Sequence, residues 1–169
     1  MQDSKKGFVP FRVVSSLSVN QRPKTLAKIE RMRGIPYASA VESLMYAMLC
    51  TRPGICFVVG TVSRYQPDPG EEHWIAVKYI FKYLRRMRDY MLVFQDESLV
   101  PIGYTDSDFQ SDRESRKSTS GYVFTLGGGA ISWRSVKQSS IADSTMEAKY
   151  IAASEAAKEG VWLKNFLLI

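Results

Sequence analysis

Three consecutive glycines, Gly127-Gly128-Gly129, separate two β-type runs, and no other feature constrains the fold as much. Ahead of them stands Ser120-Gly121-Tyr122-Val123-Phe124-Thr125-Leu126, and behind them Ile131-Ser132-Trp133. Glycine tolerates the backbone geometry of a tight turn, so the two runs read as a hairpin. The triplet lacks the Lys and Ser/Thr of a phosphate-binding loop and opens no helix. Upstream, Gly103-Tyr104-Thr105-Asp106-Ser107-Asp108-Phe109 adds a third run with an aspartate inside it, followed by a polar loop from Ser111 to Thr119. Together the three predict an antiparallel meander. A helix is predicted next. Ser144-Thr145-Met146-Glu147 has the form of a capping box, in which hydroxyl and carboxylate satisfy free amides at a helix start. Met146, Tyr150, Ala153, Ala157 and Val161 then recur at helical spacing.

The first half has a different texture. Residues 1–35 are polar and basic, with Lys24, Lys28, Arg31 and Arg33, and predict one short helix (Thr25 to Arg31) in what is otherwise a tail. Ile35-Pro36-Tyr37 stops it. From Ala38 to Cys50, Val41, Leu44, Met45 and Met48 mark a helix face, and Arg52-Pro53-Gly54 breaks it. Ile55 to Tyr65 predicts a second apolar helix, and Pro67-Asp68-Pro69-Gly70 a turn. The longest helix is predicted over Glu71 to Met87, with acids at its start and Lys82, Arg85, Arg86 and Arg88 near its end to complement the helix dipole. Its buried stripe is predicted as Trp74, Val77, Phe81 and Leu84, with Ile80 and Met87 beside it. His73, the only histidine, is expected to be a surface or capping residue. Tyr90 to Phe94 reads as a strand, and Gln95 to Leu99 as a link.

At 169 residues, 45% of them hydrophobic, the chain has enough apolar material for one domain or two small ones. A net charge of +6 suits contact with a polyanion, or a solvated basic surface. Cys50 and Cys56 have no metal-site or disulfide-framework spacing and are expected to be small core residues in a reducing compartment. Pro10 and Arg12 interrupt the apolar run near the N-terminus, making it a poor signal-peptide core, and no apolar window is long enough for a membrane span. An intracellular location, cytoplasm or nucleus, is expected.

Four words of the second half resemble the start of the RNase H domain in the Pol polyprotein of copia-type retrotransposons. They are Tyr104-Thr105-Asp106-Ser107-Asp108, Ser118-Thr119-Ser120-Gly121-Tyr122-Val123-Phe124, Ile131-Ser132-Trp133-Arg134-Ser135-Val136-Lys137-Gln138, and Ser144-Thr145-Met146-Glu147-Ala148-Lys149-Tyr150. Pro36-Tyr37-Ala38-Ser39-Ala40-Val41, Thr51-Arg52-Pro53 and His73-Trp74-Ile75-Ala76-Val77-Lys78-Tyr79-Ile80 are similar to the region of Pol between the polymerase palm and RNase H. The resemblance runs from about residue 16 to 169. It implies an α+β fold: a helical N-terminal half, then an incomplete RNase H-like three-strand antiparallel meander and one helix. The corresponding segments are a basic tail (1–35), a helical connection-like region (36–97) and a truncated RNase H-like domain (98–169). The family's Tyr-Val-Asp-Asp polymerase word is absent, which excludes polymerase chemistry.

RNase H cleavage uses two divalent cations, usually Mg²⁺, which need clustered carboxylate oxygens. In the family these come from the first strand, the first helix, the fourth strand and a later helix. Asp106 matches the first. The helix glutamate is expected at position 149, where this chain has Lys149. Glu147 lies two residues earlier, about 200° around a helix, and is expected to be a capping carboxylate, with a register shift the only route to making it a ligand. Two unit positive charges 4 Å apart repel by about 4 kcal/mol at an effective dielectric of 20, and a divalent ion roughly doubles that. The chain also ends before the family's later carboxylates. Glu42, Gly54 and Met87 depart from the family's Gly, Asp and Thr.

The expectation is therefore a Pol-derived fragment without nuclease activity, with tight Mg²⁺ binding lost. RNA–DNA hybrid or another nucleic acid is the expected partner for its basic surface. Self-association is expected through an open edge of the first strand. An active RNase H complemented by another chain is the first alternative. Some secreted RxLR-type effectors of plant pathogens are similar to the same Pol stretch, so a co-opted effector with a host protein as partner is the second. Against it stand the lack of a secretion signal and of an Arg-x-Leu-Arg word, the nearest approaches being Arg31-Met32-Arg33 and Arg86-Met87-Arg88.

Overall fold

A computed structural model describes residues 7–10, 17–95, 100–112 and 114–167. The chain divides into two compact units, Met1–Met91 and Leu92–Ile169. The fold is α+β. Helices α1 (Leu26–Arg33), α2 (Tyr37–Cys50), α3 (Cys56–Ser63) and α4 (Glu71–Arg86) form the first unit. Strands β1 (Ile102–Ser107), β2 (Thr119–Leu126) and β3 (Gly129–Lys137) and helix α5 (Thr145–Leu167) form the second.

The first unit is built on bulky aliphatic packing. Val41 and Leu44 of α2, Val58, Val59 and Val62 of α3, and Ala76, Val77 and Ile80 of α4 form one buried cluster with Leu17, Tyr37, Ile55 and Tyr65. Each fully buried Val, Leu or Ile contributes about 1.5–3 kcal/mol relative to exposure. The Tyr37 hydroxyl donates to the Val62 carbonyl at 2.8 Å, so its polar end is satisfied inside the core. Burial pushes the Tyr37 hydroxyl's pKa well above the ordinary tyrosine value, and Tyr65 adds to the effect.

Several expectations shift here. On α4 the buried positions are His73, Ala76, Val77 and Ile80, spaced i, i+3, i+4, i+7, while Trp74, Phe81 and Leu84 pack at the margin. Large aromatic rings draw attention in a sequence, but a close helix junction seats the smaller side chains at its centre. Residues 53–65 split into a 3₁₀ turn (Pro53–Ile55) and a short α3, because Pro53 opens a new turn. Within the stretch expected to trail as a basic tail, Leu17 enters the core and Val19–Gln21 forms a 3₁₀ turn capped by Ser18. Cys56 is buried as expected, but Cys50, on the last turn of α2, is exposed. Glu42 is exposed, so the carboxylate on an apolar helix needs no partner.

His73 corrects the expectation of a surface residue. It is fully buried, and it does cap its helix. The Gly70 N–H donates to Nδ1 at 2.8 Å, which leaves Nε2 to carry the proton and donate to the Ser18 carbonyl at 3.1 Å. Its ring stacks on Tyr65 with centroids 4.1 Å apart. A Cβ at Gly70 would lie 1.8 Å from the Gln21 carbonyl oxygen, so only glycine permits this approach of α4 to the 3₁₀ turn.

The second unit relies on a ladder and on small residues. The sheet order is β1-β2-β3, both pairs antiparallel, with Asp106 opposite Gly121, Gly103 opposite Phe124, and Val123 opposite Trp133. The hairpin turns at Gly127 and Gly128, both with positive φ. Helix α5 packs on β1 and β2 through Ala148, Ala152 and Ala156, with Leu163 at its far end. A Cβ at Gly103 would meet the Phe124 ring at 2.4 Å, and one at Gly160 would meet it at 3.3 Å. Helix and sheet approach closely around that one aromatic ring.

Gln138 ties the end of β3 to the helix. It is 1% exposed, and its Nε2 donates to Ser120 Oγ and to the Ala148 carbonyl, each at 2.9 Å. Two further expectations change. The longest helix is α5, with 23 residues against 16 in α4. Residues 90–94 form no strand; beside them the Gln95 N–H donates to the Gly127 carbonyl of the hairpin at 2.9 Å. Uniform apolarity gave that segment no pleat preference, and one hydrogen bond is not a ladder. The 95–99 link lies largely outside the described residues.

Candidate functional site

Strand β1 carries Asp106 one position before its end, and the first two turns of α5 carry Glu147 and Lys149. Asp106 and Lys149 come together: Lys149 Nζ lies 3.8 Å from Asp106 Oδ1, with both side chains largely exposed. An exposed ion pair of this length adds at most about 1 kcal/mol of stability. Its consequence is chemical instead. The position beside the aspartate is held by an ammonium group, which donates hydrogen bonds and supplies no lone pair to a cation.

Glu147 is engaged elsewhere. Its Oε2 accepts from the Asp143 N–H at 2.7 Å, and its own N–H donates to Ser144 Oγ at 3.1 Å. The capping box therefore forms with its carboxylate reaching one residue further back than expected. This contact occupies the carboxylate at the helix start, as the capping reading requires.

The polar loop after β1 holds two acids that sequence reasoning passed over. Asp108 accepts from the Thr119 N–H at 2.8 Å and from Ser111 Oγ at 2.6 Å, closing the loop onto β2. Asp112, with its side chain 9% exposed, accepts from Ser115 Oγ at 2.7 Å, from the Glu114 N–H at 3.2 Å and from Lys137. Desolvation raises the Asp112 pKa, but its hydrogen bonds from Lys137, Ser115 and Glu114 outweigh that and hold it at about 2. Both roles had a local signal. Asp108-x-x-Ser111 and Asp112-x-x-Ser115 repeat the same spacing, and Asp and Ser side chains at turns bond the nearby chain.

Asp106 supplies one carboxylate, Glu147 is committed to the cap, and Lys149 is a cation. Among the described residues, no three His, Cys, Asp or Glu side chains come together in a way that could hold a metal ion. Among the described residues no helix is long and apolar enough to cross a membrane.

No protein-family model and no solved structure matches the chain. Seven curated proteins do, and three of them show the range. The chain is 48% identical, over 99% of its own length, to the retrovirus-related Pol polyprotein from transposon TNT 1-94 of Nicotiana tabacum, and spans 13% of that protein. It is 32% identical over 78% of its length to the Pol polyprotein from transposon RE2 of Arabidopsis thaliana, of which it spans 9%. Secreted RxLR effector protein 161 of Plasmopara viticola is 46% identical over 133 residues, and there the match spans 94% of the relative. The α+β order of the two units, the Asp106 strand and the capped α5 are thus the local form of a sequence shared with transposon polyproteins, and the chain belongs to the copia-type retrovirus-related Pol family.

Proposed function

We propose that this stretch of Pol carries an RNase H-like second unit that does not cleave RNA–DNA hybrids, and that its basic surface retains contact with nucleic acid. The observation that carries this reading is the Lys149–Asp106 pair. Two-metal hydrolysis needs ions bridged by carboxylates, and a lysine ammonium beside the one strand aspartate repels both ions. The +6 net charge supports phosphate contact that is independent of base sequence.

The test is a labelled RNA–DNA hybrid incubated with the purified chain and Mg²⁺ or Mn²⁺. The uncut hybrid is expected, and cleavage would remove the proposal. Mn²⁺ titration gives a second readout: no saturable binding by the unmodified chain, and weak binding after Lys149→Glu. A salt titration of hybrid binding should show affinity falling as salt rises. Binding indifferent to salt would argue against phosphate contacts.

A second reading rests on the near full-length match to an RxLR effector. Under it, the chain is exported and acts on a host protein. Recovery of the chain outside the cells that make it would favour that reading; its retention inside them would count against it.

A further inference from the structure

A cleft of about 620 Å³ opens in the first unit among the Val19–Gln21 turn, α1 and α4, and we infer that it is a nucleotide site. The inference goes beyond the cleavage reading above, which concerns Asp106 and Lys149 of the second unit, and deepens the nucleic-acid contact proposed there by giving it a cleft and a ligand class. The volume lies in the range of pockets that hold small organic ligands. Five cations line it: Arg22, Lys24, Lys28, Arg31 and Lys78. Among the described residues none of the five enters an ion pair, whereas Arg33, on the same helix but outside the cleft, is paired with Glu30 at 3.1 Å. Glu71 and Glu72 are the acids of the lining, so the cleft keeps an excess of three positive charges. Unpaired Arg and Lys converging on one concavity suit phosphate oxygens.

The remaining wall is apolar. Trp74 lines the cleft with Met32 and Ile35, and its ring is held 6.4 Å from Tyr37 in a tilted contact. A planar base can lie on an indole face, whereas inorganic phosphate has no use for one. One side of the cleft is fixed by the Gly70–Gln21 approach and the His73–Ser18 bond. The other side, α1, buries no residue, so its cations can be exchanged without opening the core.

The experiment is calorimetric titration of the full chain with ATP, with inorganic tripolyphosphate and with a short oligothymidylate. The same titrations are run on a Lys28→Glu/Arg31→Glu variant whose helicity is verified by circular dichroism. ATP or oligothymidylate should bind, and the variant should lose at least tenfold in affinity. Tripolyphosphate should bind several-fold more weakly than ATP. Binding of ATP identifies a free nucleotide as sufficient; binding of oligothymidylate alone assigns the nucleotide to a strand, and either supports the site. No binding of either, affinity unchanged in the variant, or tripolyphosphate binding as tightly as ATP would overturn it. Hybrid cleavage is read at the second unit, so the cleavage test and this one cannot fail on each other's account; salt-dependent hybrid binding that the Lys28→Glu/Arg31→Glu variant keeps, with ATP and oligothymidylate both unbound, would lose the cleft and leave the basic-surface reading standing.

Discussion

The two units of this chain solve burial in opposite ways. In the first, Val41, Leu44, Val59, Val62, Val77 and Ile80 are all at most 1% exposed, and they exclude water by bulk. In the second, the buried set is Phe124, Leu163, four alanines and the polar Ser118, Thr119, Ser120 and Gln138. Its large apolar side chains, Tyr104, Met146, Tyr150, Val161 and Trp162, are more than half exposed. One unit is held by volume, and the other by close backbone approach and hydrogen bonds. The first should fail when atoms are removed, and the second when atoms are added.

The sharpest test is Ile80→Ala, which should destabilise the first unit by about 2–5 kcal/mol in urea unfolding, with hydrogen exchange of α2–α4 accelerated. His73→Ala should cost about 2–3 kcal/mol in the same assay, because it strands the Gly70 N–H and the Ser18 carbonyl and removes the Tyr65 stack. In the second unit the informative change is enlargement. Ala152→Leu should cost about 1–3 kcal/mol and speed exchange along β1 and β2, whereas no loss from Ala152→Leu would erase the contrast.

Acid should act on the second unit through Asp112. Its folded pKa of about 2 lies below the ordinary 3.8, so its stabilisation is present above pH 4 and is lost as pH falls toward 2. The loss should be of order 1–2 kcal/mol, and Asp112→Asn should flatten that part of the stability–pH curve. The smallest effect is expected at the candidate site itself. Lys149→Ala should change stability by less than about 1 kcal/mol, since the Asp106 pair is exposed. A larger loss would mean that the pair is part of the packing.

Much of the local structure was legible. The glycine triplet marked the hairpin, Ser144 and Glu147 marked the start of α5, and Pro36, Pro53 and Gly70 marked helix ends, because turns and caps are governed by residues within a few positions of one another. The face that α5 buries was not legible from its large residues. Met146, Tyr150 and Val161 recur at helical spacing, yet they point to solvent while Ala148, Ala152 and Ala156 pack. Hydrophobic periodicity measures side-chain size and polarity, and here the helix comes so close to the sheet that a Cβ at Gly160 would lie 3.3 Å from the Phe124 ring, which favours small side chains on the packed face. His73 escaped for a related reason: its acceptor carbonyl is 55 positions away at Ser18.

The sequence alone determined the helical first half, the three-strand meander with its following helix, the turn chemistry and the substitution of lysine for the expected carboxylate at position 149, since each is written in neighbouring residues. The tertiary structure decided that Lys149 stands against Asp106, that Glu147 is spent on a cap, that a buried histidine fastens Ser18 to α4, and that five cations line one cleft. Those outcomes depend on distances between residues far apart in the chain, which packing fixes and local pattern does not.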